Sequence, residues 1–413
     1  MKTIYSPIEE PIYPYNLEFP KEKTAFFDIE TTGLSPNASS LYLIGLMTYN
    51  SLQGKWQLCQ WFADNYQSEK EILQNFLDAL ADVEYLYHFN GKTFDIPYIL
   101  KKCTRHALMM PEHCQKLLHD TTGKHSIDLL GIIRSLRHVL MLEKCSQTTV
   151  EQWLGLKRSD QFSGNELITV YSEYMQQKLL NPENAKKLEK VLLLHNHDDI
   201  EMMLNLCSLF TYHEYLSDDC QIRLLAAKNL STLKVLHIEK QAISLSIKLP
   251  TAVPKAIHLT APFPPATAEG KISAVKGPAT LSLEKDTACI IFPLYEGTLK
   301  FFLPKYKDYY YLIKEDMAVH KSVAEFVDST VRKKATAATC YIKQTGLFLP
   351  SLVPSGRRKA FTAPDTEADS TLSLFHLQWK DKLSFYKLPD DDTKNLEFWK
   401  QYLGIQFPCF RKA

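Results

Sequence analysis

The 413-residue chain has no C-x-x-C pair, and its nine cysteines are scattered singly between Cys59 and Cys409. That absence argues against a zinc ribbon or a disulfide framework and predicts a reducing compartment. No apolar run reaches the length needed to cross a membrane. The opening stretch MKTIYSPIEEPIYPYNLEFP carries acids and prolines where a signal peptide needs a continuous apolar core, so a soluble, cytoplasmic protein with no membrane partner is expected. Charge of one sign is missing too: 48 Lys and Arg face 47 Asp and Glu, a net of +1. Any attraction to nucleic acid must therefore come from a local basic surface. There is no repeat of fixed period and no low-complexity tract. What remains is ordinary globular material, 45% hydrophobic and 23% charged, in a chain longer than one core usually serves. Two domains are expected.

Residues 1–22 are dotted with proline and read as an extended segment lying on the surface. From residue 23 the runs TAFFDIE, LYLIGLMTY and KWQLCQWFA read as three strands of a meander. SEKEILQNFLDAL then has helical apolar spacing, with Ser68 placed to cap it. VEYLYHF reads as a strand, FDIPYILKKC as the start of a helix, and HSIDLL as a short strand entering a helix. Residues 129–210 are mostly helical, ending in ENAKKLEKVLLLHNHDDIEMMLNLCSLF. Strands followed by alternating helices predict an α/β domain over 23–215, a mixed sheet flanked by helices. Over 216–413 the pattern changes: QAISLSIKL, KISAVKG, ATLSLEK, ACIIFPL and LKFFLPKY predict a second, β-rich domain, with helices near HKSVAEFVDSTV and TKNLEFWKQYL.

Within AFFDIETTGLSP, Asp28 and Glu30 stand two residues apart on one face of a strand, where their charges repel. A buried Arg or Lys, a shared proton or a divalent metal would each neutralise them. Asp95 falls just past a strand at the start of a helix, a position the helix dipole favours for a carboxylate. In HNHDD, His195 and Asp199 are four residues apart on one helix face, beside Leu188, Val191, Leu192, Met202 and Leu206. Burying both there is costly unless something charged awaits them. Four carboxylates so placed would make a cage suited to hard cations such as Mg²⁺ or Mn²⁺. Asp198, three residues from His195, reads as a solvated neighbour, and Asp128 as a helix cap. Lys157 and Arg158 read as phosphate contacts or as a solvated charged turn.

The ordered set DIETTG, FNGKTFD and H-x-x-x-D resembles the three exonuclease motifs of the DnaQ-like DEDD superfamily, within the ribonuclease-H-like fold. The middle motif is most similar to the proofreading domain of family B DNA polymerases. The wider pattern, including SSLYLIG, QWFAD, FSGNELITVY and LLHNHDDI, resembles the bacterial YprB-type ribonuclease-H-like proteins. The resemblance covers about residues 23–210. It implies a 3′→5′ exonuclease acting on single-stranded DNA or RNA ends with two divalent cations. Asp28, Glu30 and Asp199 would hold one cation, and Asp28 would bridge to a second that Asp95 reaches directly or through water. His195 would be the general base, as histidine side chains ordinarily titrate near neutral pH. Polymerase-type relatives usually carry Tyr at that position, so His195 makes the pattern DEDDh. Asn90 and Phe94 would contact the terminal nucleotide by hydrogen bonding and stacking. Thr31, Gly33 and Leu34 would do likewise, with Gly33 admitting a close backbone approach. A non-catalytic binding or scaffold module that retains the fold, and a structure-selective endonuclease, are the competing classes.

In the second domain, residues 300–360 hold twelve Lys or Arg against five acids, interleaved with Tyr306, Tyr309, Tyr310, Tyr311 and Tyr341. That composition suits either a nucleic-acid surface, with Arg332, Lys333 and Lys334 at phosphates, or a small β-domain with tyrosines in its core and lysines on its wet face.

Overall fold

The computed structural model describes residues 1–15, 17–160, 162, 164–216, 234–239, 242–264, 275–355, 372–389 and 395–410. By internal contacts the chain divides into two compact units, Met1–Phe210 and Thr211–Ala413.

In the first unit, β1 (Lys2–Pro7), β2 (Thr24–Thr31), β3 (Leu41–Asn50), β4 (Lys55–Phe62), β5 (Tyr85–His88) and β6 (Ser126–Asp128) form one mixed sheet in the order β1-β4-β3-β2-β5-β6. The meander β2-β3-β4 is antiparallel, and β5 and β6 join it in parallel. The first residues are thus the edge strand of the sheet, paired antiparallel to β4. β2 is central and apolar on both faces: Ala25, Phe26 and Phe27 are fully buried. A strand covered on both sides reads as a nearly continuous apolar run.

Among the described residues eight α-helices flank that sheet or follow it: α1 (Glu69–Ala79), α2 (Asp95–Arg105), α3 (Glu112–Leu118), α4 (Leu129–Leu136), α5 (Gln147–Leu154), α6 (Gly164–Leu180), α7 (Pro182–Leu206) and α8 (Phe210–Leu216), the last crossing into the second unit. Their ends follow local chemistry. Asn181 caps α7 by accepting from Asn184 N–H, with Pro182 in the first turn. Asp128 caps α4 through Leu130 N–H at 3.0 Å, as its place in SIDLL predicts. Ser68 stands at the cap position of α1 without a side-chain cap bond. Helix α7 packs against β2 and β3, and α1 packs against β3.

The second unit is β-rich. β7 (Lys234–Glu239), β8 (Ala242–Lys248), β9 (Ile257–Ala261), β10 (Ala279–Glu284) and β11 (Thr287–Pro293) form an antiparallel sheet in the order β7-β8-β11-β10-β9. A four-stranded sheet contains β12 (Tyr295–Phe302), β16 (Tyr341–Pro350), β17 (Leu374–Phe375) and β18 (Phe385–Lys387). A third sheet contains β13 (Tyr309–Leu312), β14 (Met317–His320) and β15 (Arg332–Lys334). Among the described residues its further α-helices are a single turn, α9 (Lys321–Ala324), and the longer α10 (Leu396–Phe410), which buries Phe398, Trp399 and Tyr402. Most of KISAVKG lies outside the described residues, as do Arg357, Arg358 and Lys359 from the basic region. Among the described residues no helix is long and apolar enough to cross a membrane.

Candidate active site

Asp28 and Glu30 lie on the second half of β2, on one face. Asp28 pairs across the sheet with Gly45 of β3, which in turn pairs with Gln60 of β4. A Cβ on Gly45 would overlap Asn196 Oδ1 and Ile200 Cδ1, so this glycine is what lets α7 lie close over the sheet. Asn196 then reaches across: its Nδ2 donates to Asp28 Oδ2 at 3.0 Å, while Gln60 Nε2 donates to Asn196 Oδ1 at 2.9 Å. Gln60 and Asn196 are both buried. Sequence reading missed this relay, although the glycine inside LYLIGLMTY marked a close approach.

Asp95 opens α2, where Ile29 N–H donates to its Oδ1 at 3.3 Å. It takes that donor beyond the point where β5 leaves β2, since their pairing covers only Thr24–Phe26. Withdrawal from water raises the Asp95 carboxyl to about 7, against the pull of those backbone N–H groups, with Asp128 and Asp199 adding repulsion. Asp28 is pushed well above the usual carboxylate range, first by burial and then by Asp95, Asp199 and Glu30; the Asn196 bond pulls the other way. Glu30 is likewise pushed well up by burial, then by Asp199, Asp95 and Asp160.

From α7, His195 and Asp199 face the same place. His195 Nε2 lies 3.3 Å from Asp199 Oδ2 and 3.7 Å from Glu30 Oε1, and His195 Nδ1 lies 2.6 Å from Asp160 Oδ2. With Asp160 accepting the Nδ1 proton, a neutral His195 presents the Nε2 lone pair. Glu30, His195 and Asp199 then offer three ligand atoms within 4.8 Å of one another, and no donor lies among the three. That set of acceptors suits a divalent cation on the carboxylates with a proton-accepting ring nitrogen beside it, as do the raised carboxyls nearby.

The turn after α5 holds three members of HNHDD. Arg158 makes a two-pronged pair with Glu151, at 2.5 and 2.9 Å, and also bonds Asp199 Oδ1. Ser159 N–H and Asp160 N–H both donate to Asp198 Oδ2 at 2.9 Å. Two expectations are corrected here. Asp198 is 3% exposed rather than solvated, and despite its burial, bonds from His197, Asp160 and Ser159 hold it below the usual range. Arg158 is neither a free phosphate contact nor a solvated residue, because Glu151 and Asp199 occupy it. Asp160 was not identified from sequence, since only the folded turn brings it to His195.

Asn90 and Phe94 line a cleft of about 910 Å³ together with Asp28 and Asp95. Asn90 takes a left-handed φ of 64°, and its N–H donates to Asp128, which therefore shapes the loop as well as capping α4. Thr31 ends β2, and Gly33 and Leu34 lie on the turn that follows. Thr31 Oγ1 donates to Gly33 O at 2.9 Å, and Leu34 is exposed. A Cβ on Gly33 would come within 3.2 Å of Ser39, so its small size serves the turn itself. In the second unit, Arg332, Lys333 and Lys334 form β15 beside β13. Arg332 stacks over the Tyr310 ring at 4.8 Å and donates to Ala324 O, while Lys333 and Lys334 are exposed. Tyr311 and Tyr341 both donate to Asp316, and Lys300 lies 4.3 Å over the Tyr341 ring.

Residues 25–211 match the family model described as the RNase_H superfamily. The match ends at the boundary between the two units. Similar solved structures include the family B DNA polymerase from the hyperthermophilic archaeon Pyrobaculum calidifontis, at 15% identity and a TM-score of 0.38, covering 72% of this chain and 36% of the polymerase. Another is E. coli Exonuclease I in complex with a dT13 oligonucleotide, at 10% identity and a TM-score of 0.30, covering 64% of this chain and 65% of that one. The chain thus spans less than two thirds of either structure. No curated protein matches it.

Proposed function

From an RNase H superfamily domain over residues 25–211, we propose that the first unit is a divalent-metal-dependent 3′→5′ exonuclease of DEDDh type, acting on single-stranded nucleic-acid ends. The observation that carries the reading is the convergence of Glu30, His195 and Asp199 within 4.8 Å, beside two further carboxyls raised by burial and mutual repulsion. Asp28, Glu30, Asp95 and Asp199 would hold the cations. When bound, two Mg²⁺ or Mn²⁺ ions supply Lewis acidity toward the attacking water and the departing 3′ oxygen. His195 accepts the water's proton at Nε2, while Asp160 holds its Nδ1–H and fixes the tautomer. Asn90 and Phe94, which line the cleft with Asp28 and Asp95, are assigned to the terminal nucleotide, as are Thr31, Gly33 and Leu34. In the second unit, the exposed Lys333 and Lys334 beside Arg332 are assigned to phosphates of longer strands. A cytoplasmic location is part of the proposal, supported by eight described cysteines that are all free thiols; recovery of a tagged chain from a secreted fraction would count against it.

One observation favours a second reading. Arg158 already supplies a cation to Asp199, which suits a binding module that has kept the fold without its chemistry. Hydrolysis of 5′-labelled DNA and RNA oligonucleotides with Mg²⁺ or Mn²⁺, wild type against Asp28→Ala, separates the two. The nuclease reading expects a ladder shortening from the 3′ end, lost by at least about a hundredfold in the variant. Intact substrates throughout, or equal cleavage by the variant, would leave only the binding module. In the same assay, Lys333→Glu with Lys334→Glu should slow degradation of long strands and spare short ones; unchanged rates on both would remove the second unit from the substrate path.

A further inference from the structure

The cleft that holds Asp28 and Asp95 has a second wall of opposite charge. Arg134 on α4, and Arg137 and Lys144 on the segment leading to α5, line it, outnumbering the one acid on that wall, Glu143, and all three cations are exposed. They are not equivalent. Arg137 is spent on its own loop: Nε donates to Leu142 O at 3.3 Å and a terminal nitrogen donates to Glu143 O at 2.7 Å. These bonds close a turn in which Met141 takes a left-handed φ of 52°. Among the described residues, Arg134 and Lys144 form no ion pair, although they share a cleft with carboxyls that have no cation of their own. An occupant that satisfies both walls presents anionic groups to Arg134 and Lys144, and elsewhere meets whatever neutralises Asp28 and Asp95.

We propose that Arg134 and Lys144 seat backbone phosphates of the nucleic-acid strand, on nucleotides away from the bond that is cut, with Arg137 holding the loop that presents Lys144. The proposal rests on the nuclease reading of this cleft and names the wall that grips the strand. Backbone phosphates recur at a fixed spacing whatever the base, so two fixed cations grip a strand without reading its sequence. Arg134 and Lys144 therefore govern strand affinity and take no part in proton transfer. Asn90 and Phe94 line the same cleft, which sets the terminal nucleotide beside the acids and carries the strand toward α4.

The test is fluorescence anisotropy with labelled oligothymidylate and oligouridylate of about twelve nucleotides, in Ca²⁺ buffer from about 50 to about 300 mM salt, with the strand checked intact on a gel. The proteins are wild type, Arg134→Glu with Lys144→Glu, the milder Arg134→Gln with Lys144→Gln, and a charge control, Lys70→Glu with Lys190→Glu, at two exposed lysines outside this wall. Thermal melting establishes that each is folded. Two lost phosphate contacts should lower the slope of log affinity against log salt by about 1.4, and weaken binding about tenfold or more at low salt. The Gln pair should show the same slope change with a smaller loss, and the control should track wild type. If wild type binds and the Arg134 and Lys144 variants bind as tightly with the same slope, or fall no further than the control, this wall is not the phosphate seat and the nuclease reading stands. Should wild type bind neither strand at low salt, both the wall and the nuclease reading fall.

Discussion

Glu69 and Asp95 are both nearly excluded from water, at 7% and 5% exposure, yet their carboxyls move in opposite directions. Burial pushes each upward. At Glu69 it is overcome: Lys102 Nζ lies 2.8 Å from Oε1, Leu41 N–H donates to the same oxygen at 2.7 Å, and His106 Nε2 is 2.6 Å from Oε2, so the acid falls below its ordinary range. At Asp95 it is not overcome: backbone N–H groups oppose it too weakly, and the charged neighbours Asp128 and Asp199 add to it. Helix α2 carries both arrangements, Asp95 in its first turn and Lys102 near its last. The fold can therefore bury a carboxylate cheaply where it supplies a cation, and among the described residues it gives none to Asp28 or Asp95, Arg158 reaching Asp199 instead. A buried acid that the chain fully satisfies is architecture; a cluster left unsatisfied is a place kept for something that is not part of the chain.

The largest effect is expected where the compensation is removed. Lys102→Met leaves Glu69 buried with its main cation gone, and urea unfolding should show a loss of about 3–5 kcal/mol. The pH profile supplies a second check. An acid depressed in the folded state contributes stability that is present above its unfolded value, 4.5, and is lost as pH falls through the lower folded one. Lys102→Met should flatten that acid limb. A loss below about 1 kcal/mol with the limb intact would mean that His106 and water suffice, and the contrast with Asp95 would weaken.

A third buried acid, Asp160, sharpens the comparison from the functional side, for among the described residues it pairs with the His195 imidazole, which itself faces the cluster. Asp160→Ala should cut cleavage about 10- to 100-fold through kcat, leaving KM and the melting temperature near wild type. Asp160→Asn retains an acceptor for the Nδ1 proton and should recover much of the loss. Equal rates for the Ala variant and wild type would show that His195 needs no orienting partner.

The parts of this site that sequence made legible obey short-range periodicity. Asp28 and Glu30 share a strand face, Asp128 precedes a helix, and His195 and Asp199 share a helix face, all from spacings of two to four residues. What stayed hidden depends on chain returning from far away. Gln60 meets Asn196 across 136 residues, and Asp160 meets His195 across 35. No wheel or alternation could assign Asp198 to the turn at 159–160 and Asp199 to Arg158, because both lie one turn beyond His195 and only the turn's position separates them. The second unit behaves alike. The alternation in AISLSIK and ATLSLE announces β8 and β10, but the partition into three sheets does not follow from local pattern, since β12 pairs with a strand more than forty residues later.

The smallest expected effect runs against the usual direction of mutation. Asp28→Asn keeps an oxygen to accept from Asn196 and removes one charge from a cluster whose members repel. With divalent ions removed by EDTA at pH 8, the variant should be more stable than wild type by about 1 kcal/mol, the scale of one like-charge contact in a partly wet site. The sign follows from linkage. Acids raised in the folded state contribute stability that is whole below their unfolded value, 3.8 for Asp28 and Asp95, and that is lost as pH rises through the folded one, about 7 at Asp95. The advantage of Asn should therefore fade as pH falls toward 5, where the wild-type cluster is already taking up protons. Adding Mn²⁺ should reverse the order, since a bound cation stabilises the form with the more complete ligand set. If thermal melts in EDTA instead find Asp28→Asn less stable at pH 8, some donor already compensates the Asp28 charge, and the cluster belongs with Glu69 rather than against it.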